Sequence, residues 1–247
     1  RVAVLGAGTM GAQIAALFAS RGIQSDLLDL PSSGGSRSRL AEEARKRLPS
    51  LKPPPMDSER DLDLIRPGNL EDDLERTAEA DWVIEAVIEQ PEIKQDLMVK
   101  VEQVAREDAI ISTNTSGIPM RVIAAGRSEA FQKRFLGTHF FNPPRYLKLL
   151  EIVPGAKTDP DVVARLAWFA RVGLGKRVVI TKDTPGFIGN RVGVYELMNS
   201  LWTMAGGDYS IEEIDTLTGP LMGRPSSATF RTADVVGLDT LAHVANF

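Results

Sequence analysis

Two stretches of this 247-residue sequence carry residue types at spacings that could do chemistry. The first is Gly6-Ala7-Gly8-Thr9-Met10-Gly11, a Gly-x-Gly-x-x-Gly run preceded by the apolar residues Val2, Ala3, Val4 and Leu5 and followed by an Ala/Ile/Leu-rich stretch. Gly6 would permit a tight turn, Gly8 would let the backbone approach a pyrophosphate, and Gly11 would let helix pack on strand. The helix that follows, with Thr9 and Met10 in its first turn, would offer N–H groups and a positive dipole end to the phosphates. Asp29 stands eighteen positions beyond Gly11, at the end of a second apolar run, where a carboxylate can accept hydrogen bonds from ribose hydroxyls. It would repel a 2′-phosphate, which favours NAD over NADP. A glycine-rich turn without nucleotide, or an FAD site, would share the same glycines.

The second stretch is Gly137-Thr138-His139-Phe140-Phe141-Asn142-Pro143-Pro144. A neutral imidazole near pH 7 can take a hydroxyl proton, and His139 falls near the end of a strand candidate, where α/β sheets place their sites. The other histidine, His243, lies in an ordinary amphipathic stretch. An imidazole base is usually oriented by a carboxylate, and Glu151 sits among apolar residues on the next strand candidate. A Glu buried there without a partner would be costly; an exposed edge-strand Glu is the other reading. Thr113-Asn114-Thr115-Ser116-Gly117 is a polar loop after a strand candidate, readable equally as ordinary turn chemistry. Asn190 sits one turn into a long helix candidate, an interior position that suits Asn poorly.

The elements that must hold these residues alternate. Strand candidates run over 1–5, 23–30, 82–87, 109–113, 135–141, 148–153 and 177–181, and helix candidates over 38–48, 91–106 and 159–172. Beyond Pro185 no strand candidate follows, only a helix candidate over 187–204 with Pro185 near its first turn, and a capping-box pattern at Ser210-Ile211-Glu212-Glu213. The expected fold is therefore α/β. A Rossmann-type doubly wound, mostly parallel sheet over 1–184 is followed by a smaller all-helical domain over 185–247.

Charge changes at the same place. Residues 185–247 hold three basic and seven acidic side chains, so the net charge of −4 belongs to the helical end and residues 1–184 are neutral. Basic residues of the first part are thus expected to be available to anionic ligands. With an isoelectric point near 5.4, nucleic acid is a poor partner. The sequence has no cysteine, which excludes disulfides, thiol nucleophiles and Cys-ligated metals and agrees with a reducing, cytoplasmic setting. Two histidines speak against a metal site. No apolar run reaches the length of a membrane span, and no secretory leader is visible.

Five motifs occur in one order: Gly6–Gly11, Val83-Ile84-Glu85-Ala86-Val87-Ile88-Glu89, Ser112-Thr113-Asn114-Thr115-Ser116, His139-Phe140-Phe141-Asn142-Pro143, and Asp183-Thr184-Pro185-Gly186-Phe187-Ile188-Gly189-Asn190-Arg191. Together they resemble the L-3-hydroxyacyl-CoA dehydrogenase family, from residue 1 to about residue 242. The resemblance implies oxidation of an L-3-hydroxyacyl-CoA to the 3-ketoacyl-CoA with NAD. His139 would be the base, Glu151 its support, and Ser116 and Asn190 donors to the substrate oxygen or a neighbouring carbonyl. Glu89, Lys94 and Asn142 match family positions near the ribose and nicotinamide of NAD. Family members commonly dimerise through the helical domain, so a homodimer is expected.

The sequence also departs from the family. Residues 31–56 are Gly/Ser- and Pro-rich where the family usually has a helical pair that receives part of CoA. Arg37, Arg39, Arg45, Lys46 and Arg47 there could face CoA phosphates or simply a solvated helix surface. Met222-Gly223-Arg224-Pro225 replaces a more usual Met-Gly-Pro, before a run that includes Asp234 and Asp239. This variant is similar to bacterial fusions with an enoyl-CoA hydratase domain. The chain opens at Arg1 and its helical part is short for the family, so a longer parent protein is expected. Two other functions fit parts of the pattern: a non-catalytic NAD-binding relative, and a β-hydroxyacid dehydrogenase acting on free acids with a Lys base. The intact His139, Glu151 and Asn190 set argues against the first, and the His139–Pro143 run is unexplained by the second.

Overall fold

The apolar run Val2–Leu5 forms β1, every residue of it buried. The Gly-rich turn follows, and α1 (Thr9–Ala19) buries its Ala/Ile/Leu/Phe positions against the sheet. In chain order come β2 (Ser25–Asp29), α2 (Arg39–Arg47), β3 (Ile65–Asn69), β4 (Trp82–Glu85), α3 (Pro91–Val104), β5 (Ile110–Thr113), the short helices α4 (Met120–Ile123) and α5 (Glu129–Lys133), β6 (Phe135–Phe140), β7 (Leu149–Pro154), α6 (Pro160–Val172) and β8 (Arg177–Ile180). In this computed structural model, which describes residues 1–238, Arg1–Asp183 form one compact unit and the chain from Thr184 onward forms another.

The first unit is a single eight-stranded sheet in the order β3-β2-β1-β4-β5-β6-β7-β8. Every neighbouring pair is parallel except β6 and β7, so the sheet is of the Rossmann type and mostly parallel. Parallel strands need both faces covered. Phe18, Trp82, Phe140 and Phe169 do much of that on one side, stacking or meeting edge to face at centroid distances of 5.4–6.4 Å. Because β1, β2, β4, β5 and β6 run the same way, the residues just beyond Leu5, Asp29, Glu85 and Thr113 all emerge at one edge of the sheet, as does the end of β6.

β3 is not among the expected strands. Its sequence, Ile65-Arg66-Pro67-Gly68-Asn69, reads as a turn, yet it pairs with β2 from Ser25↔Ile65 to Asp29↔Asn69. It lies at the outer edge of the sheet, where a proline's missing N–H can face solvent. The polar Ser25 and Asp26 of β2 are both buried, and Asp26 is met by Arg66 Nε at 2.5 Å.

The second unit contains α7 (Gly189–Ala205), α8 (Ile211–Thr218) and α9 (Phe230–Val236). The Ser210 capping box forms as the sequence suggests. α7 begins later than expected. Gly186 (φ +72°) and Phe187 (φ +46°) are left-handed, which α-helical hydrogen bonding does not pass through. Pro185 therefore lies in the preceding turn, and Asn190 is the second residue of α7 rather than a turn inside it. Asp239 and His243 lie outside the described residues.

Two lysines are buried in the first unit. Lys94 of α3 is 1 % exposed, and its Nζ donates to Glu85 Oε1 at 2.6 Å. Glu85 is fully buried at the end of β4 and also accepts from the Thr113 hydroxyl at 2.6 Å and the Val87 N–H at 2.7 Å. Burial pushes the Glu85 carboxyl up from the ordinary carboxylate range, and the Lys94 charge pulls part of the way back. Lys176, just before β8, donates to the carbonyls of Pro144 and Leu147 and lies 5.4 Å from the Phe140 ring centroid. It makes no ion pair among the described residues. Burial, then the neighbouring Arg21, lowers its pKa to about 8.

Two stability predictions follow from these lysines. Lys94→Met strands Glu85 in the core and lowers unfolding free energy by about 3–5 kcal/mol in urea denaturation at pH 7. Because the stranded carboxyl has a raised folded pKa, the variant regains stability as pH falls. Lys176 acts in the other direction. With a folded pKa of about 8 against an ordinary 10.5, it binds fewer protons folded than unfolded across that interval, so its contribution grows as pH rises. Relative to Lys176→Met, the parent gains on the order of 3 kcal/mol between pH 7.5 and 10.5. Urea midpoints that move in parallel with pH would contradict this.

Candidate active site

The Gly-rich turn is built as a cradle. Gly6 has φ +106°, and a Cβ there would strike the Ala86 carbonyl. A Cβ on Gly11 would overlap the Gly6 carbonyl oxygen, so close helix–strand packing requires both glycines. A Cβ on Gly8 would meet nothing within 4 Å, so its backbone faces open space. No side chain caps α1 and no acid stands in its first turn, which leaves its positive end to a ligand anion. Thr9 and Met10 line a cleft of about 730 Å³ together with Gly6, Gly8, Asp29 and Glu71.

Asp29 ends β2 beside this turn. Its Oδ2 accepts the Ala7 N–H at 2.5 Å and its Oδ1 the Leu30 N–H at 2.6 Å. The carboxylate thus fixes the turn and also lines the cleft. The open Gly8 backbone, the uncapped helix end and the strand-end carboxylate together fit a dinucleotide.

His139 and Glu151 face each other directly. The antiparallel pairing of β6 with β7 sets them in one register pair, and His139 Nδ1 lies 2.8 Å from Glu151 Oε2. Glu151 is fully buried and His139 is 6 % exposed. Glu151 is therefore no exposed edge residue. The His139 ring also packs on Phe141, with centroids 4.4 Å apart. Asn142, just past β6, accepts from Gln13 Nε2 at 3.1 Å, and Gln13 in turn donates to the Thr9 carbonyl at 3.1 Å. The chain leaving His139 is thereby tied to the first turn of α1.

The polar loop after β5 is more than turn chemistry. Glu89 accepts the Thr115 hydroxyl at 2.5 Å, the Ser116 N–H at 2.9 Å and the Ser116 hydroxyl at 3.3 Å, and lies 3.2 Å from Lys94 Nζ. Burial alone would raise the Glu89 carboxyl. The Lys94 charge and the Thr115 and Ser116 bonds outweigh it and hold the group below the ordinary range. Asn114 Oδ1 accepts the Phe140 N–H at 3.0 Å, joining this loop to the His139 strand. Glu85, Gln13, Asn114 and Thr115 are supports to which the sequence reading assigns no role. A charged Glu85 inside the apolar run 82–87, and Gln13 inside an otherwise apolar helix, were the available signals.

Of the expected site residues, the first unit holds Gly6, Gly8, Thr9, Met10, Gly11, Asp29, Glu89, Ser116, His139 and Asn142 on or just beyond the strand ends described above, with Lys94 on α3 and Glu151 on β7 opposite His139. Asn190 belongs to the second unit. Of the five basic residues Arg37, Arg39, Arg45, Lys46 and Arg47, the first three are engaged within the protein. Arg37 pairs with Glu71 and Asp72, Arg39 lies 4.0 Å from Glu43, and Arg45 donates to the Leu62 carbonyl at 3.0 Å.

Residues 1–184 match the family model described as 3-hydroxyacyl-CoA dehydrogenase, NAD binding domain, and residues 186–247 match the 3-hydroxyacyl-CoA dehydrogenase C-terminal domain. A probable 3-hydroxyacyl-CoA dehydrogenase of Deinococcus radiodurans is 52 % identical over 248 residues, covering 99 % of this chain and 71 % of that protein. One of Bacillus subtilis is 49 % identical over 260 residues; 99 % of this chain spans 33 % of that relative. The crystal structure of M. tuberculosis FadB2 superposes with a TM-score of 0.85 at 32 % identity, covering 100 % of this chain and 85 % of that one. No helix among the described residues is long and apolar enough to cross a membrane. With its NAD-binding unit and its helical C-terminal unit both matched, the chain belongs to the 3-hydroxyacyl-CoA dehydrogenase family.

Proposed function

We propose that this chain catalyses the NAD-dependent oxidation of L-3-hydroxyacyl-CoA thioesters to 3-ketoacyl-CoA, with His139 as the base. The observation that carries the reading is the buried His139–Glu151 pair at 2.8 Å. An ionised carboxylate can only accept, so it fixes the Nδ1–H tautomer and makes Nε2 the basic nitrogen. NAD, when bound, supplies the acceptor for the hydride that leaves C3. His139 Nε2 takes the hydroxyl proton as the C3–O bond becomes a carbonyl, and the alcohol thereby loses one hydride and one proton. Glu151 steadies the imidazolium that forms.

The remaining residues position and polarise. Glu89, held below the ordinary carboxylate range by Lys94 and the 115–116 hydroxyls, stays an anion and accepts from the ribose of the nicotinamide half. Asn142, anchored through Gln13, stands at the nicotinamide. Ser116 and Asn190 donate to the substrate oxygen or thioester carbonyl as charge develops. The thioester substrate is an acyl-CoA. The exposed Tyr195 and Trp202 of α7, 69 % and 67 % accessible, support a homodimer through the helical unit. The threefold greater length of the Bacillus relative supports a longer parent chain, in which an enoyl-CoA hydratase domain is the partner we assign.

His139→Gln binds NADH within about threefold of the parent while acetoacetyl-CoA reduction falls by about 10²–10⁴; retained turnover would remove His139 as the base. Glu151→Gln falls less far than His139→Gln and likewise spares NADH binding. Asp29→Ala weakens NADH and relaxes discrimination against NADPH, since it removes both the ribose acceptor and the anchor of the Ala7 N–H. An unmutated protein that uses the two cofactors equally in the same assay would sink that assignment.

A further inference from the structure

One arginine pairs with a residue of the cleft wall, and its charge is already engaged. Arg37 lies on the loop that follows Asp29, and its carbonyl accepts the Ser32 N–H at 2.9 Å, which folds the loop back toward the end of β2. Its Nη2 donates to Glu71 Oε2 at 2.7 Å, and its Nε donates to Asp72 Oδ2 at 2.6 Å. A second bond from Nη2 to Asp72 Oδ1 at 3.1 Å makes the Asp72 contact bidentate.

The two acids are exposed, but a buried asparagine fixes the backbone that carries them. β3 carries Asn69 into register beside Asp29. Asn69 is 2 % exposed; its Oδ1 accepts the N–H groups of Glu71 and Asp72 at 3.0 and 2.9 Å, and its Nδ2 donates to Asp72 Oδ2 at 2.9 Å. The Leu70 N–H donates to the Asp29 carbonyl at 2.8 Å. Glu71 thereby joins Asp29 in the wall of the cleft. The Arg37 and Asn69 bonds hold the Asp72 carboxyl below its ordinary range, so it is ionised whenever the cofactor is present.

Arg in this loop is the residue type that accommodates a 2′-phosphate in dinucleotide sites, through the same planar fork that a carboxylate occupies here. We propose that Glu71 and Asp72 determine cofactor specificity: they hold Arg37 in an internal fork and so withhold it from the 2′-phosphate of NADPH. Asp29 repels the phosphate; Glu71 and Asp72 engage a cation of the adjoining loop that could compensate. Preference for NADH is then set by three carboxylates on two adjacent strand ends rather than by Asp29 alone. The inference rests on the NAD reading of the cleft.

The test is a double variant, Glu71→Gln with Asp72→Asn, in the full chain with Asp29 intact. NADH and NADPH are titrated by fluorescence and compared by kcat/KM in acetoacetyl-CoA reduction. The expected result is a rise of tenfold or more in the ratio of NADPH to NADH kcat/KM. Adding Arg37→Met to the double variant should abolish the gain, and raising salt should diminish it. An unchanged ratio overturns the proposal. So does a gain that survives Arg37→Met, because removal of negative charge would then be the whole effect. A parent that binds neither cofactor defeats the NAD reading itself, whereas a parent that binds NADH and variants that do not shift defeat only this inference. Thermal unfolding of the double variant near that of the parent separates both outcomes from misfolding.

Discussion

The reversal of chain direction between β6 and β7 is the constraint on which the rest of the first unit's site depends. In an otherwise parallel sheet, two strand-end residues on neighbouring strands reach the same edge only by ending together. An antiparallel pair behaves differently: a residue leaving at the end of β6 meets one entering on β7, and cross-strand side chains of such a pair lie within about 5 Å. His139 and Glu151 are twelve positions apart in sequence and directly opposed in register. A parallel β7 would need a long crossover and would bring Glu151 to the sheet from the opposite end. The connection between the strands is short, and Lys176 grips it from below at Pro144 and Leu147, while Tyr146 donates to the Pro54 carbonyl at 2.9 Å.

Around that pair the first unit places its polar groups by chains of hydrogen bonds that begin in the core. Lys94 is shared by two carboxylates, Glu85 inside and Glu89 at the cleft, and the two shift in opposite directions because their surroundings differ. Glu85 is dominated by desolvation. At Glu89 desolvation is outweighed by the Lys94 charge together with three donors from Thr115 and Ser116. A buried ion pair of this kind is weak evidence for stability, since desolvation opposes the Coulomb gain. Its consequence is geometric: the loop after β5 takes its position from a cation on α3, and Ser116 inherits that position.

Much of this was legible in the sequence because a few residue types have few physical explanations. The three glycines and Asp29 follow from what a turn, a close approach and a ribose require. His139 and Glu151 follow from the scarcity of histidine and the cost of an isolated buried Glu. Direction was not legible: nothing in Leu149-Leu150-Glu151-Ile152-Val153 says that β7 runs against β6, because the pleat alternates equally in either sense. β3 was hidden because Pro67 and Gly68 are turn residues by propensity, and only an edge position with its N–H side open tolerates them. The start of α7 was displaced because a left-handed Phe187 leaves no mark on hydrophobic periodicity.

Charge is where composition misled most. Residues 1–184 are neutral by count, which suggested cations available for phosphates. The structure pairs many of them within the protein: Arg66 with Asp26, Arg106 with Asp81 and Asp108, Arg127 with Glu102, Arg37 with Glu71 and Asp72. A surface pair contributes little to stability, with a median below about 1 kcal/mol. It still decides which charges a ligand meets, because a fork occupied by carboxylate must be vacated before a phosphate can enter it. In the cleft, whose lining also includes Lys100, the uncapped end of α1 and the open Gly8 backbone stand ready for an anion. Those groups are fixed dipoles that suit a pyrophosphate lying along the turn. Asp29 and Glu71 stand in the wall of the same cleft, so the neutral sum conceals an uneven surface, with open dipoles along the turn and carboxylates beside it.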